Sequence, residues 1–291
     1  MLRANLHYFY TTIADGNMST DKRFYDDSLT SSDIKKDFML RRKIIGEREG
    51  FDGLKIITPI QKTKYSTLKN HGGRRSEVTN YPDGGYIKIT KDMIQSFSDL
   101  QDFYLFSDIV MISPKVPKVA VAYPVADCPV LVAKDNKKQL AAVCYCGGEY
   151  VDRELPIQLI ESLREEVDSK VKDISVYIGP HASKETFVDP NGFPEWVRNF
   201  NQVWSHGIIT EYRGYYHIDI EKAICRQLEK AGVSKNMIFS SLIDSGADPE
   251  FYSNSKGFYD EKRKGYFYTG CFYDDKYENV KNKVKGYFLK K

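Results

Sequence analysis

Apolar residues crowd most densely between positions 119 and 149, where two runs without polar alternation, 119–134 and 139–143, flank the polar segment Asp135, Asn136, Lys137 and Lys138. Runs of this kind are strands covered on both faces, and the polar segment between them reads as a hairpin turn. A turn centred on Asn136 pairs residues equidistant from it and so sets Cys128 opposite Cys144, where directly opposed Cβ atoms lie about 4.5–5.5 Å apart. The pattern predicts a hairpin inside a sheet, two thiols sharing one face, and Cys146 with Gly147 and Gly148 just beyond.

The rest of the chain is punctuated more lightly. Residues 6–12 read as a strand and 15–19 as a turn, with Gly16 and Asn17 supplying unusual backbone angles. Ser32 and Asp33 are placed to cap a helix that buries Ile34, Phe38, Met39, Ile44 and Ile45, leaves Lys35, Lys36 and Arg42 outside, and stops near Gly46. Residues 54–60, 107–112, 174–178, 215–218 and 266–273 carry strand patterns. Leu155, Leu159, Ile160, Leu163 and Val167 form one helical stripe, and 196–203 has the spacing of a short helix. Asp219 can cap a helix through Ala223, Ile224 and Leu228 that ends at Gly232. The glycine-rich stretch 70–86 marks a loop, and the expectation is one domain over residues 1–291 with a loop insertion at 70–106. Strands outnumber helices and several adjoin by short turns, which predicts an α+β fold.

Composition narrows the function classes. A 291-residue chain that is 41% hydrophobic can bury a proper core, and a net charge of +3 between 43 basic and 40 acidic residues gives no basic stripe for nucleic acid. The clusters Arg41–Lys43 and Lys262–Lys264 read as solvated surface. No apolar segment of spanning length appears and the first residues lack a secretory pattern, so no membrane partner and a cytoplasmic location are expected. Five cysteines, three of them between 128 and 146, do not form a secreted disulfide framework and read as reduced thiols.

Several short motifs then line up in a shared order. Residues 125–131 are similar to "TADCxPVL", and residues 141–147 stand where "AxxHAGWRG" falls. Upstream, Tyr10 to Thr12 with Gly16 to Ser19 resembles "FTTRxGGVS", Leu40 to Arg42 resembles "NRR", and Pro59 to Thr63 occupies the place of "QVH". Downstream, 178–180 resembles "GPxI", 216–220 "WHLDL" and 249–253 "PELFFS". Together these resemble the YfiH or laccase-domain family, the multicopper polyphenol oxidase-like proteins linked to purine nucleoside phosphorylase activity. The resemblance implies a YfiH-like fold of packed mixed β-sheets flanked by helices. It also implies a zinc or copper site used on purine nucleosides with phosphate.

Carried over by position, the resemblance makes Cys128 a metal ligand and catalytic residue, Cys144 the ligand in place of the second histidine, and His71 the ligand if the alignment slips past Thr63. Arg41 would be the second catalytic residue and bind phosphate or ribose, with Gln61 and Ser19 also on the substrate. The arginines of "HAGWRG" and "SYR" fall at Gly148 and Ser255. Thiolate can replace imidazole on Zn²⁺, whereas a neutral threonine hydroxyl is a poor ligand. Three functions therefore stay open: a metal-dependent nucleoside phosphorylase or deaminase, a non-catalytic binding or regulatory protein of the same fold, and a cysteine hydrolase with Cys128 as nucleophile and His217 as base.

Overall fold

The computed structural model describes residues 3–18, 28–53, 55–60, 85–96, 104–189, 207–257 and 260–278. Their strands are β1 (Arg3–Tyr10), β2 (Ile56–Ile60), β3 (Tyr86–Lys88), β4 (Tyr104–Phe106), β5 (Ile109–Ile112), β6 (Ala120–Val125), β7 (Val130–Asp135) and β8 (Leu140–Tyr145), then β9 (Ile174–Ile178), β10 (Val188–Asp189), β11 (Ile209–Tyr212), β12 (Tyr215–Ile218), β13 (Ile238–Ser240) and β14 (Phe267–Glu278). The helices are α1 (Ser31–Glu49), α2 (Lys91–Ser96), α3 (Gly148–Asp152), α4 (Leu155–Val167), α5 (Ile220–Lys230) and α6 (Asn254–Gly257). One large sheet runs β1-β14-β6-β2-β4, the other β13-β9-β7-β8-β5-β3, and a small sheet runs β10-β12-β11. Both large sheets mix parallel and antiparallel neighbours. The α+β expectation therefore holds.

Three apolar clusters order the layers as helix, sheet, sheet, helix. Between the two large sheets, Val121, Tyr123 and Val125 of β6 meet Val130 and Val132 of β7 and Val143 of β8. The alternate residues of the hairpin, Leu131, Ala133, Ala142 and Cys144, face Leu159, Leu163, Ile224 and Leu228 of α4 and α5. Phe9, Ala120, Ala122 and Phe272 pack with Phe38 and Ile45 of α1 on the far side. Period-two side chains from central strands thus fill two interfaces at once, which is why these runs carry no polar alternation.

The stretch read as a single strand from 119 to 134 is two. β6 belongs to one large sheet and β7 to the other, and residues 126–129 cross the seam between them. The β7–β8 hairpin is internal to its sheet, flanked by β9 and β5. Its register differs from the expected one, for Asp135 pairs with Leu140 and Cys144 with Leu131. The turn holds residues 136–139 and is centred beyond Asn136, with Gln139 at φ +57°. The buried Asp135 carboxylate accepts from Lys137 N and Lys138 N, each at 2.7 Å, and from Ser169 Oγ at 2.5 Å. That chelation of two turn amides lengthens the turn past the symmetric one.

Helix α1 also corrects the sequence reading. Its N-cap is Thr30, whose hydroxyl accepts from Asp33 N at 3.2 Å, and the helix runs through Gly46 to a left-handed cap at Gly50. Gly46 does not end the helix, because it lets the chain at Gly53 cross close by; an added Cβ would lie 2.3 Å from Gly53 N. The buried stripe is Ile34, Phe38, Arg42 and Ile45, while Ile44 is exposed. Arg42 lies over the Phe38 ring and donates to Ile56 O. Arg263 is buried as well, so neither basic cluster is wholly solvated. Between 85 and 106 the described residues form β3, α2 and β4, inside the stretch expected as an insertion. The helix expected at 196–203 lies outside the described residues. No helix among the described residues is long and apolar enough to cross a membrane.

Candidate functional site

The crossing between the sheets, which carries Cys128, is anchored by hydrogen bonds to three distant segments. Asp127 is buried; one carboxylate oxygen accepts from Ser245 Oγ at 3.3 Å, the other from Ser255 N at 2.7 Å, and its carbonyl accepts from Ala182 N at 2.9 Å. Arg263 fastens the segment that supplies Ser245. Its guanidinium donates to the carbonyls of Ser245, Gly246, Asp248 and Phe251. A buried guanidinium held by backbone carbonyls replaces the water a loop of this length would otherwise need.

Cys128 follows Asp127 at this crossing. Burial pushes its thiol up to about 11, with the Asp127 charge adding to the effect. Hydrogen bonds donated by the Tyr145 hydroxyl and Gly148 N–H act in the opposite direction and do not overcome burial. Tyr145 is itself held well above the ordinary tyrosine range, by burial first and the Cys128 sulfur second. Tyr123 and Tyr150 flank its ring, with centroids 6.3 and 5.5 Å away. Cys128 therefore sits as a neutral thiol among tyrosines, and its own environment does not generate a nucleophilic thiolate at neutral pH.

Cys144 takes a different place from the one expected. It faces Leu131, lies in the core beneath α4, and its sulfur is 3.5 Å from that of Cys146. Cys146 N donates to Pro129 O at 2.8 Å. Burial, then the bond to Cys144, raises the Cys146 thiol well above its ordinary value. The pairing of Cys128 with Cys144 fails because the turn is asymmetric, and an odd offset exchanges the partners across the ladder.

Arg41, on α1, donates to Asn17 O at 3.0 Å and pairs with Asp37 one turn earlier. Gly16, at φ +84°, lies against the guanidinium, where an added Cβ would come within 2.5 Å of it. Asn17 Oδ1 accepts from Tyr266 N at 3.0 Å, and Tyr266 neighbours Tyr145 closely enough to raise its proton affinity. Burial raises Tyr252 and the nearby Arg41 cation opposes that rise. Asn17, Tyr266 and Tyr145 thus form a chain of neighbours along one pole of the molecule, with Arg41 at one end and Cys128 at the other.

Ser19, Gln61, Thr63 and His71 lie outside the described residues. His217, the base considered for a hydrolase, is on β12 of the small sheet and its Nδ1 is 3.2 Å from Lys184 O. Among the described residues, no three His, Cys, Asp or Glu side chains converge as metal ligands. Zinc needs three or four such donors, so the described residues alone do not complete a zinc site. Sequence reasoning missed Tyr145 and Ser245, noted Ser255 only as the place of an absent arginine, and read Arg263 as surface. The signal for Arg263 was an arginine beside Gly265 just before a strand, which the neighbouring lysines concealed.

The solved structures give the same architecture. The Bacillus licheniformis hypothetical protein YfiH superposes with a TM-score of 0.69 at 14% identity, with 92% of each chain covered. YlmD from Geobacillus stearothermophilus gives 0.69 at 17%, again with 92% of each chain covered. A Neisseria meningitidis protein assigned to the DUF152 family model gives 0.63 at 13%, covering 94% of this chain and 96% of that one. At these identities the likeness is one of fold. No curated protein matches the chain in sequence. The family model described as multi-copper polyphenol oxidoreductase laccase matches residues 106–271, more than half of the chain. That span holds the crossing loop and the hairpin, and the chain belongs to this laccase-domain family.

Proposed function

We propose that the pole between Arg41 and Cys128 binds a purine nucleoside together with phosphate, and that the chain retains a slow form of the phosphorolysis linked to its family. The observation that carries this reading is the chain of neighbours, tyrosines among them, that links Arg41 on α1 to Cys128 at the sheet crossing. A guanidinium suits phosphate, and tyrosine faces suit a flat base. Because Arg41 already pairs with Asp37, phosphate must share or displace that partner, which weakens the site. Phosphorolysis also requires charge stabilisation on the departing purine, and loss of one such group commonly costs on the order of 10²–10³ in rate. Five free cysteines support a reducing compartment such as the cytoplasm.

The test is hypoxanthine release from inosine and phosphate, with and without added zinc, alongside Cys128→Ala and Arg41→Ala. Slow, zinc-dependent release that Cys128→Ala abolishes is the expected result. Brisk metal-free turnover indifferent to Cys128→Ala would overturn the assignment. A second reading, binding without turnover, is favoured by the position of Cys144 against Leu131 and Cys146. Saturable inosine binding with no hypoxanthine at any zinc level would select it.

A further inference from the structure

We propose that a cleft at the open side of the seam between the two large sheets is a second small-molecule site, which takes a neutral planar ring carrying hydrogen-bonding groups. Its volume is about 290 Å³, the lower edge of ordinary ligand pockets at roughly 300–1,000 Å³. Tyr8 and Tyr10 of β1 and Tyr177 of β9 line it. The Tyr8 and Tyr177 rings lie with centroids 4.2 Å apart at 39°, a broad aromatic surface that favours a flat partner. None of Arg41, Asp127, Cys128, Tyr145 or Tyr252 lines this cleft.

A second observation points to a ligand. Thr269, which also lines the cleft, is 5% exposed, and its buried hydroxyl has no hydrogen-bond partner among the described residues. Its methyl side packs toward Gly179, where an added Cβ would lie 2.5 Å from Thr269 Cγ2. A buried hydroxyl without a partner is costly, and a polar group on a ligand in the cleft would satisfy it. The rim sets the charge. Arg48 bridges Asp15 and Glu49, its Nε 2.7 Å from Glu49 Oε1. Two carboxylates against one committed guanidinium leave the rim net negative, which disfavours an anion and leaves acceptor oxygens for the donors of a neutral ligand.

The test titrates the full chain with 4-hydroxybenzamide, 4-hydroxybenzoate and toluene, followed by calorimetry and saturation-transfer NMR. Saturable binding of 4-hydroxybenzamide is expected, with the anion and the purely apolar ring each about tenfold weaker or worse, the equivalent of one lost polar contact. Thr269→Val keeps the side-chain shape and removes only the orphan hydroxyl; it should weaken 4-hydroxybenzamide about tenfold. Thr12→Trp, a bulky side chain at a lining position, should block the cleft. Cys128→Ala should leave this binding unchanged, which separates failure of the cleft from failure of the nucleoside reading. Absence of saturable binding, or equal binding by the Thr269→Val and Thr12→Trp proteins, would overturn the proposal.

Discussion

The two ends of the β7–β8 hairpin are built on opposite principles. At the closed end nearly everything polar has a structural partner: Asp135 holds two turn amides and Ser169, and Asn136 Nδ2 donates to Asp173 O and Ser175 Oγ. At the open end the chain at and just beyond the same two strands brings Cys128, Tyr145 and Cys146, two thiols and a phenol whose protons burial holds in place. Geometry is decided at the closed end and inherited at the open one. A change of turn length therefore reaches chemistry a full strand away, because a slip of one residue re-aims every side chain on the ladder.

Substitution at the closed end should have the largest effect. Asp135→Ala strips the acceptor from two amides and a hydroxyl in a site that is 1% exposed, and should cost about 3 kcal/mol or more. A lowered denaturant midpoint at unchanged slope is the signature, and a near-neutral result would break the contrast between the two ends. Cys144→Ala should cost about 1–2 kcal/mol through the small cavity it leaves, with no change in zinc content measured by elemental analysis. Zinc lost specifically from this variant would put Cys144 back beside Cys128 and sink our register argument.

Cys128→Ala should be the mildest in stability, under about 1 kcal/mol at neutral pH, and sharpest in its pH dependence. The folded thiol titrates near 11, against about 8.5 for an unfolded one. The folded state therefore holds its proton longer. Its contribution is complete below the unfolded value and fades as pH rises through the window up to about 11. Wild type should lose stability across that window faster than Cys128→Ala, and iodoacetamide labelling of Cys128 should accelerate over the same range. Fast labelling at pH 7 would show a thiolate that the structure does not support.

Much of the fold was legible because it rests on local period. The stripe of α4, the Asp219 cap of α5 and the internal hairpin follow from apolar spacing, and the motif order led to the right family. The misses have one kind of cause. Arg42 follows the helical phase of Ile34 and Phe38, but its charge placed it outside. Arg263 was hidden among lysines, and Gly46 looked like a stop when it served a crossing chain. The Cys128–Cys144 pairing needed the exact turn length, which depends on Asp135 reaching Ser169 on a distant segment. Each was settled by contacts with residues far away in sequence. The same holds for the pole, where Tyr145 and Tyr266 join Arg41 to Cys128 across three separate elements.

The strand β14 lies between β1 and β6, and that arrangement imposes an order of events on synthesis. Thr11, at the end of β1, accepts its hydrogen bond from Tyr268, 257 positions later. At a translation rate of roughly 5–20 residues per second, β1 waits on the order of 10–50 s for its neighbour. From the time β6 is made until the chain reaches residue 267, the flank of β6 that β14 will cover is an open edge. The five-stranded sheet closes late, by insertion of a strand between two others that are already made, and a nascent chain stalled before residue 267 presents a ready-made slot for a foreign strand.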